Sequence, residues 1–87
     1  MPAVLRKNID YAGGLIIGGS ADVFVNGAGV VRVGDAVAPH GRGIHSYAVM
    51  ASGSSTVFCN GIPVCRVGDP ATCGDLGSGG SPNTFAG

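Results

Sequence analysis

Glutamate, glutamine and tryptophan are absent from this chain, and charge of either sign is scarce: five Lys or Arg against five Asp among 87 residues, with a formal net charge of zero. Each shortage excludes something. The basic residues Arg6, Lys7, Arg32, Arg42 and Arg66 are scattered. They cannot build the cationic patch that neutralises a phosphate backbone, so nucleic acid is not an expected partner. The longest apolar runs, such as Leu15-Ile16-Ile17, are far too short to span a bilayer. No charged segment followed by an apolar one opens the chain, so synthesis and folding in a cytoplasm are the default expectation. Helical periodicity over ten or more residues is also missing, which limits any helix to a single turn. The three cysteines are an odd number. That argues against a disulfide framework and leaves metal binding or plain burial.

What is abundant is glycine. Seventeen glycines and five prolines make up about a quarter of the chain, yet 45% of it is apolar and only 11% charged. A disordered chain shows the opposite balance. The glycines are therefore expected to serve turns in a small β-rich protein, near the lower size limit of what a core alone can hold together.

Aligned with itself, the chain shows a three-fold repeat. Gly19-Ser20-Ala21-Asp22-Val23-Phe24-Val25-Asn26-Gly27 returns as Gly53-Ser54-Ser55-Thr56-Val57-Phe58-Cys59-Asn60-Gly61, and starts again at Gly80-Ser81-Pro82-Asn83-Thr84-Phe85-Ala86-Gly87. Val31-Arg32-Val33-Gly34-Asp35 is likewise matched by Cys65-Arg66-Val67-Gly68-Asp69, with a partial third copy in Pro2-Ala3-Val4-Leu5-Arg6. The two incomplete copies complement each other. The expectation is a single domain over 1–87, with repeat units of about 1–27, 28–61 and 62–87 closing around a pseudo-threefold axis and both termini meeting at one hairpin turn. Asn26-Gly27 and Asn60-Gly61 predict type I′ hairpins, which need positive φ at both central residues. Their flanks, Val23-Phe24-Val25 and Val30-Val31-Arg32-Val33, are β-branched or aromatic. The middle unit is longer by the loop around His40-Gly41-Arg42-Gly43-Ile44-His45.

His40, His45 and Cys73 are the candidate metal ligands. The histidines lie in that inserted loop, and Cys73 follows Gly68-Asp69 at nearly the equivalent place in the next unit. Two imidazoles and a thiolate suit zinc, with iron as the alternative. The competing reading is two solvated histidines and a buried thiol. Cys59 and Cys65 replace Val25 and Val31 in the repeat and are read as core residues, since free cysteine packs as a small hydrophobe. Arg32 with Asp35 and Arg66 with Asp69 recur together; recurrence favours a structural pair over a phosphate grip. Gly13-Gly14 and Gly18-Gly19 hint at a phosphate loop, but no Gly-Lys-Ser/Thr completes one. A metal-dependent hydrolase is the least favoured reading: catalytic zinc sites use a general base, usually glutamate, and the only carboxylate near Cys73 in sequence is Asp75. No catalytic residue is assigned, and the chain is not expected to be an enzyme.

The recurring Gly-Ser-x-x-Val-Phe-x-Asn-Gly and Arg-Val-Gly-Asp elements, with Ala38-Pro39-His40-Gly41 and the closing Gly80–Gly87 segment, resemble the PAAR-repeat family over nearly the whole chain. The resemblance implies an all-β fold: a small cone of three hairpin repeats with a metal site near its apex, held by histidines and a cysteine, which His40, His45 and Cys73 match. It implies a structural tip that caps and sharpens a trimeric β-helical spike of a contractile injection machine, a phage tail or type VI secretion system, for membrane puncture. The partners implied are the spike at the broad base and the target membrane at the apex. A protein made in the bacterial cytoplasm, mounted on the spike and delivered through the target envelope fits this role. The alternative function is an adaptor that recruits a separate effector; with nothing beyond Gly87, no toxin domain is expected in this chain. The family usually draws a further ligand from the N-terminal unit. Here Asn8–Gly14 offers no histidine or cysteine, leaving Asp10, Cys59, Cys65, water or no fourth ligand at all.

Overall fold

Two-residue Asn-Gly turns set the local structure. Asn26 and Gly27 have φ of 54° and 78°, and Asn60 and Gly61 have φ of 55° and 76°, the signature of type I′ turns. The computed structural model describes residues 1–87, the side chain of Ile44 excepted. Its strands are all two residues long: β1 (Tyr11–Ala12), β2 (Gly14–Leu15), β3 (Phe24–Val25), β4 (Ala28–Gly29), β5 (Phe58–Cys59) and β6 (Ile62–Pro63). They pair as three antiparallel hairpins, β1–β2, β3–β4 and β5–β6. Phe24 faces Gly29 and Phe58 faces Pro63 in the two Asn-Gly hairpins. Ala3 bridges Phe85 in the corresponding manner, bringing the first and last residues together as a third hairpin-like pairing. The one helical element among the described residues is a 3₁₀ turn over Gly43–His45. No helix among them is long and apolar enough to cross a membrane. The protein is all-β.

The sequence suggested longer second strands, over Val30–Val33. Val30 stays bonded to its own unit, its N–H donating to the Val23 carbonyl (3.1 Å), and from there the strand touches the neighbouring units at single points. Val4 bridges Arg66, Arg6 bridges Val30, and Arg32 bridges Val64. The three strands meet only at these single bridges, so no long ladder forms. Their meeting point is closed by a cycle of backbone hydrogen bonds. The N–H of Leu5 donates to the carbonyl of Cys65 (3.0 Å), that of Cys65 to Val31 (2.9 Å), and that of Val31 to Leu5 (3.1 Å).

Alternation along these strands then divides the interior in two, because successive side chains point to opposite faces. Leu5, Val31 and Cys65 are fully buried on one side, where they join Ile16, Met50 and Cys73. Val4, Val30 and Val64 point to the other side, with Cys59 and Ala86. The molecule is elongated, with extents of 33 × 24 × 22 Å.

Each unit carries the same polar braces. Ser20, Ser54 and Ser81 are buried; their Oγ atoms accept the N–H of Val23 (3.0 Å), Val57 (2.9 Å) and Thr84 (3.0 Å). They also stitch units together. Ser20 donates to Asn60 Oδ1 (2.8 Å) and Ser81 to Asn26 Oδ1 (2.6 Å), while Ser54 reaches the carbonyl oxygen of Gly87. The Arg32–Asp35 and Arg66–Asp69 ion pairs form at 3.2 and 2.9 Å, as recurrence suggested. A third pair, Arg6–Asp10 at 2.8 Å, completes the set. It is spaced by four residues rather than three, with Asn8 at φ 61° where the other units place Gly34 and Gly68.

Candidate metal centre

Three loops run out from the Leu5/Val31/Cys65 side of the ring, each starting a few residues after the aspartate of its unit, and they converge. The β1–β2 hairpin turns around Gly13, with Ala12 facing Gly14. The inserted loop folds back on itself through the His40 N–H bond to the His45 carbonyl (3.1 Å), and the 3₁₀ turn carries His45 into place. In the last loop the N–H of Ala71 donates to the Asp75 carbonyl (2.9 Å) and Pro70 bridges Leu76. Gly74, at φ 90°, makes that turn sharp enough for Cys73 and Asp75 to face the same point.

The structure brings His40, His45 and Cys73 together, and adds Asp75 to them. One donor atom from each of the four residues lies within 4.8 Å of all the others. His40 Nε2 is 2.7 Å from Asp75 Oδ2, 3.1 Å from His45 Nδ1 and 3.7 Å from Cys73 Sγ. Asp75 Oδ2 is also 3.2 Å from His45 Nδ1 and 3.5 Å from Cys73 Sγ. Cys73 is buried, at 7% exposure. The His45 and Asp75 side chains form the outer half, at 36% and 38%.

The hydrogen bonding defines what each atom can do. His40 Nδ1 lies 3.0 Å from the Ala38 carbonyl, which can only accept, so Nδ1 carries the proton and Nε2 faces the cluster. Such a backbone anchor on the far nitrogen is what fixes the tautomer of a ligating histidine. The Ala38 bond, then the Asp75 carboxylate, push the His40 pKa up. The His40 bond, then the Cys73 thiol, hold Asp75 below the usual carboxylate range. Nitrogen, sulfur and carboxylate donors turned toward one point make a group that can bind a metal ion, and the mixture suits a zinc-like ion.

The other residues weighed for a fourth ligand lie elsewhere. Asp10 is 2% exposed and saturated: it accepts from the Arg6 backbone N–H (2.8 Å), Nε (2.8 Å) and Nη2 (3.0 Å), and from the Gly80 N–H (2.8 Å). Cys65 sits in the ring at zero exposure, and burial, with Asp69 and Asp35 nearby, pushes its thiol up to about 12. Cys59 is buried on the opposite side of the ring. All three thiols are free. Sequence reasoning met Asp75 only as a candidate base. Its spacing from Cys73 was the available signal, and it is too short a pattern to stand out.

The opposite end has a different character. Val4, Val30 and Val64 floor an apolar concavity of ≈ 170 Å³ walled by Val23, Val57 and Thr84. Phe24, Phe58 and Phe85, one per unit, are 60%, 56% and 49% exposed.

The family described as PAAR motif matches residues 8–76 of the chain. No curated protein matches it.

Proposed function

The chain belongs to the PAAR-motif family of contractile-injection spike-tip proteins, and from that premise we propose that it caps a trimeric β-helical spike through the face bearing Phe24, Phe58 and Phe85. The observation that carries this reading is the triplication of that face. Phe58 and Phe85 line the concavity with its three equivalent valines, and Phe24 is exposed at the equivalent position of its own unit, which gives one chain a near-three-fold apolar surface. A true trimer can match such a surface with all three of its subunits at once. Burying the three rings would contribute a favourable hydrophobic term, partly offset by the freedom lost on association.

At the other end, His40, His45 and Cys73 are proposed to hold a metal ion, zinc in the first place and iron as the alternative. When bound, the ion supplies cross-linking between loops that share no long ladder. Metal binding of this kind adds directly to folding free energy. The role is mechanical rather than catalytic: a stiff, metal-stapled point presented to the target envelope by a phage tail or secretion spike, after synthesis in the bacterial cytoplasm.

The test is docking. A purified trimeric spike fragment should bind one copy of this chain per trimer. Phe24→Ser with Phe58→Ser and Phe85→Ser should abolish that complex while leaving the melting transition of the free chain cooperative. Unchanged docking by a folded triple variant would overturn the assignment of this face.

A further inference from the structure

We propose that Asp75 is the fourth ligand of the metal centre, and that Gly13 is the residue whose missing side chain makes room for it. The inference rests on the metal reading of His40, His45 and Cys73 and gives that site its remaining donor. In a tetrahedral site with metal–nitrogen bonds near 2.0–2.1 Å and metal–sulfur bonds near 2.3 Å, donor–donor edges are about 3.3 Å between nitrogens and about 3.6 Å from nitrogen to sulfur. The separations of His40 Nε2 from His45 Nδ1 (3.1 Å) and from Cys73 Sγ (3.7 Å) fall on those edges. So do those of Asp75 Oδ2 from His45 Nδ1 (3.2 Å) and from Cys73 Sγ (3.5 Å). Of these five edges only His40–Asp75 is shorter, at 2.7 Å; the sixth, from His45 to Cys73, is bounded at 4.8 Å.

The same geometry separates a ligand from an orienting partner. A carboxylate that merely orients a ligating histidine bonds its far nitrogen. On His40 that place is taken by the Ala38 carbonyl, and Asp75 Oδ2 instead faces the inward nitrogen, the inward nitrogen of His45 and the sulfur together. Asp75 therefore points at the centre of the cluster rather than at the back of one of its members.

Gly13 explains why the carboxylate can be there. A Cβ at position 13 would fall on Asp75 Oδ2 and within 2.6 Å of His40 Nε2. A Cβ on Gly14 would lie 2.8 Å from His40 Nδ1 and against the Ala38 carbonyl. The N-terminal loop thus contributes space where the other two contribute donors, and Cys73-Gly74-Asp75 supplies two ligands from one turn. With a thiolate and a carboxylate facing a divalent cation the centre is neutral, and its oxygen donor broadens the range of metals it accepts beyond a thiolate–imidazole set.

The experiment titrates Co(II) into the metal-free full chain against a competing chelator, following the visible ligand-field and near-ultraviolet thiolate bands. Wild type should show tetrahedral Co(II) with a thiolate band. Asp75→Ala should retain that band, shift the ligand-field envelope, and lose more affinity than the roughly 10–100-fold that removing an orienting partner costs. Gly13→Ala should weaken binding at least as much as Asp75→Ala with Asp75 still present, because its Cβ would crowd both Asp75 Oδ2 and His40 Nε2, and binding within about tenfold of wild type would remove Gly13 from the proposal. Thermal melts of the metal-free proteins control for folding; Asp75 is partly exposed, so its metal-free variant should melt like wild type. Affinity within about 100-fold of wild type with an unchanged spectrum in Asp75→Ala would overturn this proposal alone. Failure of wild type to bind Co(II) would overturn the metal reading beneath it, and neither outcome touches spike docking.

Discussion

Removing the Asp10 carboxylate tests whether burial, rather than the motif itself, sets the worth of the repeated Arg–Asp pairs. The three pairs share chemistry and differ in exposure: the Asp10 side chain is 2% exposed, against 13% for Asp35 and 12% for Asp69. Asp10 accepts four hydrogen bonds, and Arg6 Nη2 also donates to the Gly80 carbonyl (2.9 Å), so the pair ties the first segment to the last. Asp10→Ala removes the partner of the Arg6 guanidinium and also leaves the Gly80 N–H without its acceptor. The expected cost is about 3–5 kcal/mol, against about 1–3 kcal/mol for Asp35→Ala or Asp69→Ala, whose carboxylates are less deeply buried and bond only their own arginine. For a chain of this size about 1 kcal/mol moves the midpoint by about 4–8 °C, so Asp10→Ala should melt more than about 10 °C below wild type. Urea unfolding of the three variants, with unchanged slope, supplies the comparison. Replacing the pair together, Arg6→Met with Asp10→Leu, should recover much of the loss, because no unpaired charge is left behind. The acid limb gives a second readout. Burial raises the Asp10 pKa, but the Arg6 guanidinium and the Gly80 and Arg6 N–H groups outweigh it and hold the carboxyl below its ordinary value. A depressed native pKa contributes stability that is complete above the unfolded value of about 3.9 and is lost as pH falls through the native one, so wild type should weaken below about pH 4 more steeply than Asp10→Ala does. If Asp10→Ala proves no worse than Asp35→Ala and Asp69→Ala, the reasoning from burial is wrong.

Cys73→Ser and His45→Ala should each strip the purified protein of its metal and lower its melting temperature to that of chelator-treated wild type; elemental analysis beside calorimetry reads both, and metal retained at full stoichiometry in either variant would remove that residue from the ligand set. Gly27→Val should weaken the β3–β4 hairpin by about 1–3 kcal/mol through backbone strain alone, because a Cβ there meets nothing within 4 Å. Gly27→Asn should be milder, since asparagine tolerates the left-handed region, and equal stability of the Val and Asn variants would contradict the turn assignment.

The architecture was legible wherever it depends on neighbours in sequence. Asn26-Gly27 and Asn60-Gly61 announce their turns because positive φ at two successive positions is a local steric demand that few residue pairs meet. The repeat exposed the all-β class, the structural role of Arg32–Asp35 and Arg66–Asp69, and Cys59 and Cys65 as buried residues. It also singled out His40, His45 and Cys73, which the fold brings together. Features that depend on residues far apart in sequence stayed hidden. An extra residue between Arg6 and Asp10 moved that aspartate out of register, so the partial third copy ended at Arg6 and the buried ion pair went unread. Gly13-Gly14 resembled an abandoned phosphate loop, although its lack of side chains is what admits Asp75 beside His40. Val30–Val33 promised a continuous strand, but the three strands meet only at single bridges. Periodicity and turn chemistry are properties of adjacent residues, and the sequence alone determined what rests on them. The convergence of three loops on one point, and the placing of Phe58 and Phe85 beside one apolar floor, follow from how the units are arranged, which only the closed tertiary structure decides.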